Sequence, residues 1–204
     1  MTDFEALLAF WFGPLENGLA GPAQRKTWFT PDPDFDDRCR NAFLPVLELA
    51  REDRLNHWLD TPQGQLAFIV LTDQLPRNIF RGTREAFDFD PLALAVARKG
   101  IAAGSDRQLG LDERAFFYMP FEHSEDLLDQ HMAVGLFTYL RDATAGEHRN
   151  ITGQNLRYAQ QHRDIIIRFG RFPHRNAVLQ RTSTAQELAF IQAGDGFGQQ
   201  PQKH

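Results

Sequence analysis

Helix-start signals recur along this chain and constrain its fold more than any other feature of the sequence. Each is a capping side chain followed at once by proline, and they stand at Asp32-Pro33, Thr61-Pro62 and Asp90-Pro91. The capping side chain accepts a hydrogen bond from a backbone N–H of the first turn. Proline has no N–H, and the first turn tolerates it because N–H groups there have no partner within the helix. The pair is therefore typical of helix N-termini. The three pairs predict helices near 33–52 and 62–75, and another that ends at Gly104.

The N-terminal segment carries weaker helix signals. Thr2 with Glu5 is a candidate capping box for a first helix that Gly13-Pro14 ends, and a loop is expected from there to about Lys26. Pro45 is expected to kink the helix that contains it, because proline cannot donate to the preceding turn.

Four further helices are predicted toward the C-terminus. Their capping or first residues are, in order, Asp112, Ser124, about Thr152, and Ser183 with Gln186. The first of these helices must stop near Pro120, and the third should run to Phe169 with Gly170 after it.

Clusters of residues typical of β-hairpins do not recur along the chain. We therefore expect an all-α fold of antiparallel helical hairpins, arranged as a bundle or a short solenoid that resembles tetratricopeptide repeats. The expected organisation is a single helical domain over residues 1–194, followed by a mobile tail over 195–204.

Composition restricts the compartment and the partners. The chain has 204 residues, 42% of them apolar and 18 of them phenylalanine, which suffices for a sizeable core. The single Cys39 excludes an intrachain disulfide, and acidic residues stand at the N-terminus where a secretion signal carries positive charge. A cytoplasmic protein is therefore expected. No apolar run approaches the roughly 20 residues that cross a bilayer, so no membrane association is expected.

The charge and the motifs exclude other classes of partner. The formal net charge of −5 argues against nucleic-acid binding, which needs an excess of Lys and Arg. The sequence has no His-Glu-x-x-His, no Glu-x-x-His, no cysteine pair and no phosphate-loop glycine pattern. No metal site and no cofactor are predicted, and Cys39 is interpreted as a small core residue.

Residues 169–176 read FGRFPHRN and place Arg171, His174 and Arg175 close together at the end of a long helix. They lie in the most basic part of the chain, since Arg141 to Arg181 contains eight arginines against three acids. Arginine offers a planar fork of donors suited to carboxylate or phosphate. This segment is therefore a candidate anion-binding element.

Three polar side chains fall on helix faces that should be buried. Asp73, Gln130 and His162 each have apolar residues three, four or seven positions away. Burying such groups without partners costs about 1–3 kcal/mol, and more when they are charged. We therefore expect all three to be buried and hydrogen-bonded, with FGRFPHRN and the segment around Glu122 and His123 as sources of partners.

Two interpretations of the polar residues stay open. In the architectural one, Asp73 and Arg77 form an ion pair, the arginines of FGRFPHRN satisfy helix-end carbonyls, and His162 is a hydrogen-bonded core histidine. In the functional one, the charged residues converge on a cleft for a small anionic or polar ligand, where a Glu/His pair offers acid–base chemistry. These residues are Asp73, Arg77, Glu122, His123, His162, Arg171, His174 and Arg175.

The sequence also contains one internal echo. DQLPRNIFR (73–81) and FGRFPHRNAVLQR (169–181) both run from a helix end through proline to an Arg-Asn pair, with another arginine beyond. They predict two similar helix-end corners.

The second corner carries a further prediction. Phe169 and Phe172 should pack into the core while the guanidinium groups of FGRFPHRN turn toward carboxylates on other helices, with Asp73 and Glu122 the best candidates. A partly buried arginine needs such a partner, and the earlier part of the chain holds the excess of acids.

Several long motifs resemble one bacterial family, catalogued as domain of unknown function 924. The motifs are TDQLPRNIFRG (72–82), FDFDPLALAVA, ERAFFYMPFEHSEDLLDQ (113–130) and HRDIIIRFGRFPHRNAVLQR (162–181). The resemblance extends from about Phe10 to Ile191. It implies an all-α fold similar to tetratricopeptide-repeat proteins, and it implies no assigned activity.

What the resemblance carries over is a signature of polar positions. They are Asp73, Gln74, Arg77, Asn78, Arg81, Glu122, His123, Ser124, Glu125, Gln130, His162, Arg171, His174, Arg175 and Asn176. The ligand-binding candidates are the eight charged residues named above together with Gln130 and Asn176. A tetratricopeptide-like fold raises a competing hypothesis, a groove that binds a protein or peptide, although the sequence lacks a clear repeat of about 34 residues.

Overall fold

The structure, a computed structural model, describes residues 4–194, and most of them lie in helices. The α-helices are α1 Phe4–Phe12, α2 Pro22–Phe29, α3 Pro33–Arg51, α4 Pro62–Ile69, α5 Leu75–Ile79, α6 Asp90–Ala103, α7 Leu111–His123, α8 Leu127–Asp142, α9 Gly146–Phe169 and α10 Ala185–Gln192. Turns of 3₁₀-helix lie at Asn56–Asp60, Arg84–Phe87, Ser105–Gln108 and Pro173–Arg175. The only strands within residues 4–194, β1 Leu15–Glu16 and β2 Leu19–Ala20, form one short antiparallel pair.

The predicted all-α class is therefore confirmed, while the likeness to tetratricopeptide repeats and the single domain stay predictions. The predicted tail at 195–204 and the Thr2 half of the first capping box lie outside the described residues. Helix α3 continues without interruption through Pro45, and α9 begins at Gly146, several residues before the predicted start.

Local sequence sets several helix ends as predicted. Asp32 accepts a hydrogen bond from the backbone N–H two residues on, and Thr61 from the one three residues on, both at 3.1 Å. Gly104 follows α6 with φ 74° and Gly170 follows α9 with φ 70°. Glycine adopts this left-handed conformation without strain, which is why it ends both helices.

Helix α7 contradicts the prediction that it stops near Pro120, because it continues to His123. A proline inside a helix costs about 3 kcal/mol. The neighbouring Phe116, Phe117 and Phe121 are almost completely buried, and each buried phenylalanine stabilises the fold by about 1.5–3 kcal/mol. Packing of the core therefore outweighs the lost backbone hydrogen bond.

The segment after α1 was expected to be a loop to about Lys26, and this prediction is wrong. Asn17 and Gly18 take φ values of 51° and 79° and close a two-residue hairpin between β1 and β2. Asn-Gly is a strong signal for such a turn, because both central positions need positive φ. From Pro22 the chain then forms α2, with the proline in its first turn.

Four predicted caps differ from those observed. Asp90 is the first residue of α6, whose N-cap position is Phe89. Asp126 rather than Ser124 caps α8, and Thr184 rather than Ser183 caps α10. Asp112 does not cap α7, since its carboxylate accepts the N–H of the last residue of β2 at 2.8 Å and so holds the hairpin against α7. Neighbouring residues have similar capping ability, and packing decides which one the first turn uses.

Buried side chains form two clusters. The larger one draws on α1 and on every helix from α3 to α9. The smaller one gathers Ile165, Ile166 and Phe172 at the end of α9, with Phe169 partly buried against it. The predicted burial of Phe172 is confirmed, and Phe169 is only partly inside.

Successive helices pack against one another through short connections. Helix α7 packs on α8, and α8 packs on α9 across a connection of only residues 143–145. Packed neighbours joined in this way are helical hairpins. Within residues 4–194, no helix is both long and apolar enough to cross a membrane.

A π-helical turn over Val70–Gln74 joins α4 to α5, so helical backbone runs from Pro62 to Ile79. The turn contains Asp73, whose side chain is completely inaccessible to solvent. Such π turns are rare and occur frequently at functional sites. This one places a carboxylate inside the protein, next to the end of α7.

Candidate ligand site

A cavity of about 570 Å³ lies where α2, α5, α7, α9 and the 3₁₀ turn at 173–175 face one another. Its lining includes six side chains predicted from the sequence: Arg77, Glu122, His123, His162, His174 and Arg175. Sites for small molecules commonly have volumes of about 300–1,000 Å³ and a few convergent polar groups. The size and the lining both fit that class.

Asp73 and His123 form a hydrogen-bonded pair beside the cavity. The two carboxylate oxygens of Asp73 lie 2.8 and 2.9 Å from His123 Nδ1. Burial alone raises the pKa of Asp73, but the charges of Arg77 and His123, with hydrogen bonds from His123 and Gln74, hold that pKa below its ordinary value. Burial and the nearby Arg77 lower the pKa of His123. Because an ionised carboxylate only accepts, Nδ1 carries the proton and Nε2 is the basic nitrogen.

A second imidazole on the same wall is held in a similar way. His162 Nδ1 lies 2.9 Å from Glu122 Oε1 and 2.9 Å from the Tyr158 carbonyl oxygen. The carbonyl can only accept, so Nδ1 is the donor here too. The rings of His123 and His162 have centroids 6.2 Å apart. Two imidazoles of fixed orientation therefore line the cavity.

Arg77 is bound by two carboxylates. Its Nη1 and Nη2 donate to the two oxygens of Asp90 at 2.8 and 3.0 Å. Nη1 also lies 3.4 Å from Asp73 Oδ1 and donates to the Asp73 carbonyl oxygen. Burial lowers the pKa of Arg77, but Asp73 and Asp90 together raise it above its ordinary value. Its charge is compensated, and it fastens the start of α6 to the π turn.

Arg175 approaches the same carboxylate but is compensated far less. It is 7% exposed, its Nη1 stays 3.6 Å from Asp90 Oδ2, and its Nε has no hydrogen-bond partner among residues 4–194. The guanidinium carbon lies 4.7 Å from the ring centre of Phe87 and 4.5 Å from that of Phe172. Burial lowers the pKa of Arg175 to about 10, against the attraction of Asp90 and with repulsion from Arg77. The cavity thus contains a buried cation with an unused donor.

His174 is neutral under ordinary conditions. Burial, reinforced by the charge of Arg175, lowers the pKa of His174 to about 3. The pKa of His123 is shifted in the same direction. Near pH 7 these two histidines add no positive charge, so the guanidinium groups dominate the cation content of the cavity.

The two corners that the internal echo predicted are built alike. In the first, Arg81 donates to both oxygens of Asp36 at 2.7 and 2.9 Å. In the second, Arg181 donates to both oxygens of Glu125 at 2.7 and 3.0 Å. The arginine of each Arg-Asn pair turns instead toward the start of α6. The shared sequence pattern therefore gives a shared arrangement.

The predicted burial of three polar side chains is confirmed. Asp73, Gln130 and His162 are 0%, 0% and 7% exposed, and each makes hydrogen bonds within the protein. Helical phasing alone was enough to find them, because a buried face is visible in the spacing of apolar residues.

Four of the ten ligand-binding candidates do not line the cavity: Asp73 is bound to His123, Arg171 is bound to Glu187, and Gln130 and Asn176 hold the chain together. Gln130 Nε2 donates to the carbonyl oxygens of Glu122 and Ser124, each at 2.7 Å, and so fastens the turn between α7 and α8. Asn176 Oδ1 accepts a hydrogen bond from Arg181 at 2.9 Å inside the second corner. Both contacts are architectural.

The predicted partners of the FGRFPHRN arginines, Asp73 and Glu122, are wrong. Arg171 donates to both oxygens of Glu187 in the first turn of α10, at 2.6 and 2.9 Å. Arg175 faces the start of α6 instead. The predicted carboxylates are bound by histidines instead, Asp73 by His123 and Glu122 by His162, and these pairs do not follow from local sequence.

Sequence reasoning missed the wall that α2 provides. Arg25, Lys26, Trp28 and Phe29 all line the cavity. The expected loop to about Lys26 covers most of this segment, and a loop presents no helical face. The Asn-Gly turn and Pro22 at the helix start are the signals that reveal this element. Asp90 was also missed, because its place before a proline suggested only a cap.

The functional groups that the cavity offers are imidazole, carboxylate and guanidinium. The described part of the chain contains no group of three or more His, Cys, Asp or Glu placed to hold a metal ion. Cys39 is completely buried away from solvent, and burial raises the pKa of its thiol to about 12. A thiol in this state is a poor nucleophile, in agreement with its interpretation as a core residue.

The fold and the site together define an all-α protein with a polar, arginine-lined cavity. The chain belongs to the bacterial family of proteins of unknown function DUF924, whose sequence pattern matches residues 7–195. Its structure is similar to that of the protein of unknown function ATU0120 from Agrobacterium tumefaciens, with 37% sequence identity and a TM-score of 0.80. The similarity covers 94% of this chain and 97% of the other. No curated protein matches the chain.

Proposed function

We propose that the cavity binds a small anionic ligand, with Arg175 as the principal donor and His123 as a proton acceptor beside it. One observation carries the proposal: Arg175 is almost completely buried, lines the cavity, and has an Nε without a hydrogen-bond partner in residues 4–194. Leaving a buried charged donor unsatisfied costs about 1–3 kcal/mol or more. A carboxylate or phosphate oxygen of a ligand supplies the missing partner.

The charges on the cavity wall support this assignment. Among the described residues that line it, five are basic, and Glu122 alone is acidic. The carboxylates that compensate the arginines stand behind the guanidinium groups, as Asp36 does for Arg81 and Asp90 for Arg77. An anion that enters therefore meets donors first.

The orientation of His123 supports an acid–base role. Asp73 holds the Nδ1 proton, which is how carboxylates orient catalytic imidazoles in other proteins. The lowered pKa of His123 leaves Nε2 unprotonated near neutral pH, as a general base requires. The π turn that delivers Asp73 is the kind of irregularity that helices tolerate where a site needs it.

The competing hypothesis is a helical interaction module whose polar cluster is purely structural. Exposed apolar side chains on the outer face of α8, namely Leu128, Met132 and Tyr139, favour it, because they form one stripe at helical spacing. Nothing in their surroundings specifies a partner. A purely structural cluster also leaves the unsatisfied donor of Arg175 without an explanation, so the ligand site is the better supported of the two.

Thermal unfolding in the presence of acetate, inorganic phosphate and larger metabolite-like anions tests the proposal. The melting temperature of the wild type should rise with at least one anion, and the rise should disappear in Arg175→Met. Arg171→Met is the matched control, since Arg171 belongs to the same segment but binds Glu187 away from the cavity. A rise that survives in Arg175→Met, or no rise with any anion, contradicts the anion site.

Imidazole NMR tests the acid–base part separately. In the wild type, the ring of His123 should be neutral at pH 7 with its proton on Nδ1. A proton on Nε2 contradicts the assignment of His123 as a general base, whatever the binding experiment shows.

A further inference from the structure

The cavity is more than a pocket for a bare anion, because a large part of its wall is aromatic. Trp28 and Phe29 of α2 and Tyr158 of α9 line it. Phe29 is 65% exposed and Tyr158 is 45% exposed, so these two rings stand at the mouth. Aromatic rings left in water at the edge of a cavity are surfaces that an apolar ligand group can cover.

The apolar lining continues into the protein. Met119 and Phe137 also line the cavity, and Phe137 is 1% exposed. Phe87 lines it beside the guanidinium of Arg175. An apolar surface therefore extends from the mouth to the buried cation. The volume of the cavity, about 570 Å³, is far larger than acetate or phosphate needs. A ligand that fills it therefore has a bulky uncharged part, its body, in addition to a charged group.

The charge balance restricts the ligand further. Five carboxylates balance the five basic side chains of the wall: Glu122 belongs to the wall itself, and Asp36, Asp73, Asp90 and Asp112 form ion pairs with arginines of the wall. With His123 and His174 neutral, these groups carry no net positive charge. A dianion would bring two negative charges to a balanced cluster, whereas a monoanion brings one and satisfies the donor of Arg175. The balance favours a carboxylate over a phosphate monoester, which carries nearly two charges at pH 7.

We infer that the ligand is a monocarboxylate with an aromatic or bulky aliphatic body. Its carboxylate pairs with Arg175, and its apolar body lies against Trp28 and Phe29. This inference rests on the proposed anion site and adds the chemical class of the ligand. It also gives α2 a role, since this helix has no buried residue of its own and is held by hydrogen bonds from Gln24 and Trp28 to the Trp11 carbonyl oxygen.

Calorimetric titration with four compounds tests the inference: 3-phenylpropanoate, propanoate, 3-phenylpropanamide and phenyl phosphate. The wild type should bind 3-phenylpropanoate about tenfold or more tightly than propanoate, because the phenyl group leaves water. The amide and the phosphate should bind more weakly than 3-phenylpropanoate. Phe29→Ala should reduce the affinity for the phenyl compound severalfold more than it reduces the affinity for propanoate. Tyr139→Ala, which removes an exposed ring that does not line the cavity, should change neither affinity.

The outcomes separate this inference from the proposed function. Equal affinity for propanoate and 3-phenylpropanoate overturns the inference and leaves the anion site standing. Tightest binding of phenyl phosphate overturns the choice of a monocarboxylate and also leaves the anion site standing. Amide binding as tight as carboxylate binding overturns both, since the charge then plays no part. Unchanged preference in Phe29→Ala overturns the role of the aromatic wall.

Discussion

The two helix-end corners share a sequence pattern, and comparing them shows that residues at equivalent positions have different roles. In the first corner the Arg-Asn arginine, Arg77, is bound by two carboxylates. In the second, Arg175 is at least as deeply buried but approaches only one oxygen of Asp90, Oδ2, at 3.6 Å. Arg77 donates to both oxygens of the shared carboxylate of Asp90. The guanidinium of Arg175 lies against the rings of Phe87 and Phe172 instead. The two arginines therefore differ in how closely they are bound by Asp90. Arg77 is a structural clamp, and Arg175 keeps a donor that is available to a ligand.

The largest expected effect follows from removing the shared carboxylate. Asp90→Asn takes the compensating charge from Arg77 and Arg175 together, and breaking a buried ion pair from one side is strongly destabilising. We expect the free energy of unfolding to fall by about 3 kcal/mol, measured by urea denaturation. Asp88→Asn is the control, since its side chain is 39% exposed and lies 4.0 Å from Arg84. Equal small effects of the two substitutions would show that Asp90 does not join the corners.

The next effect compares the second arginine of each corner. Arg81 and Arg181 each make two charge-assisted hydrogen bonds to a carboxylate distant in the chain, Asp36 of α3 and Glu125 in the turn between α7 and α8. Arg81→Met and Arg181→Met should each lower the free energy of unfolding by about 2 kcal/mol. Arg54→Met should change it by about 0.5 kcal/mol or less, because that pair is solvent-exposed. A large difference between Arg81→Met and Arg181→Met would mean that the corners are not equivalent at this position.

Another effect is nearly absent at neutral pH and grows as the pH falls. The pKa of His174 in the folded protein is lowered to about 3 by burial and by the charge of Arg175. The unfolded chain therefore binds a proton that the folded chain does not, and stability is lost as the pH falls from the ordinary histidine value toward about 3. His174→Gln should make the stability less sensitive to pH over that interval, measured by urea denaturation at several pH values. His131→Gln, at an exposed position on α8, should leave the wild-type pH dependence intact; a matching change in both variants contradicts the assignment.

Much of the fold could be predicted from the sequence because it depends on interactions between residues close together in the chain. The proline pairs at Asp32 and Thr61 and the glycines after α6 and α9 specify helix ends through backbone geometry alone. The buried polar faces were readable for the same reason, since helical phasing is local. The course of α7 through Pro120 was not, because long-range packing of phenylalanines decides it.

The sequence predicted many of the polar residues of the candidate site but not their partners. The sequence put the arginines and histidines into one group, and the structure brings five of them, together with Glu122, to one cavity. It did not give their partners, because Arg171 to Glu187 and Arg175 to Asp90 depend on how elements distant in the chain are placed. The aromatic residues that α2 contributes to the cavity wall were not predicted, because the helix itself was not predicted. The Asn-Gly turn before it is present in the sequence.

The smallest expected change in stability is also the most direct test of the central claim, that Arg175 is a poorly compensated cation with a donor available to a ligand. Replacing a poorly paired buried charge by an apolar side chain of similar length is often neutral or stabilising. For Arg175→Met, urea denaturation without ligand should give a free energy of unfolding equal to that of the wild type or higher. Calorimetry on the same protein should show that binding of 3-phenylpropanoate is lost. A variant that is destabilised by about 2 kcal/mol or more and still binds the carboxylate would contradict the account, and Arg175 would then be a structural clamp like Arg77.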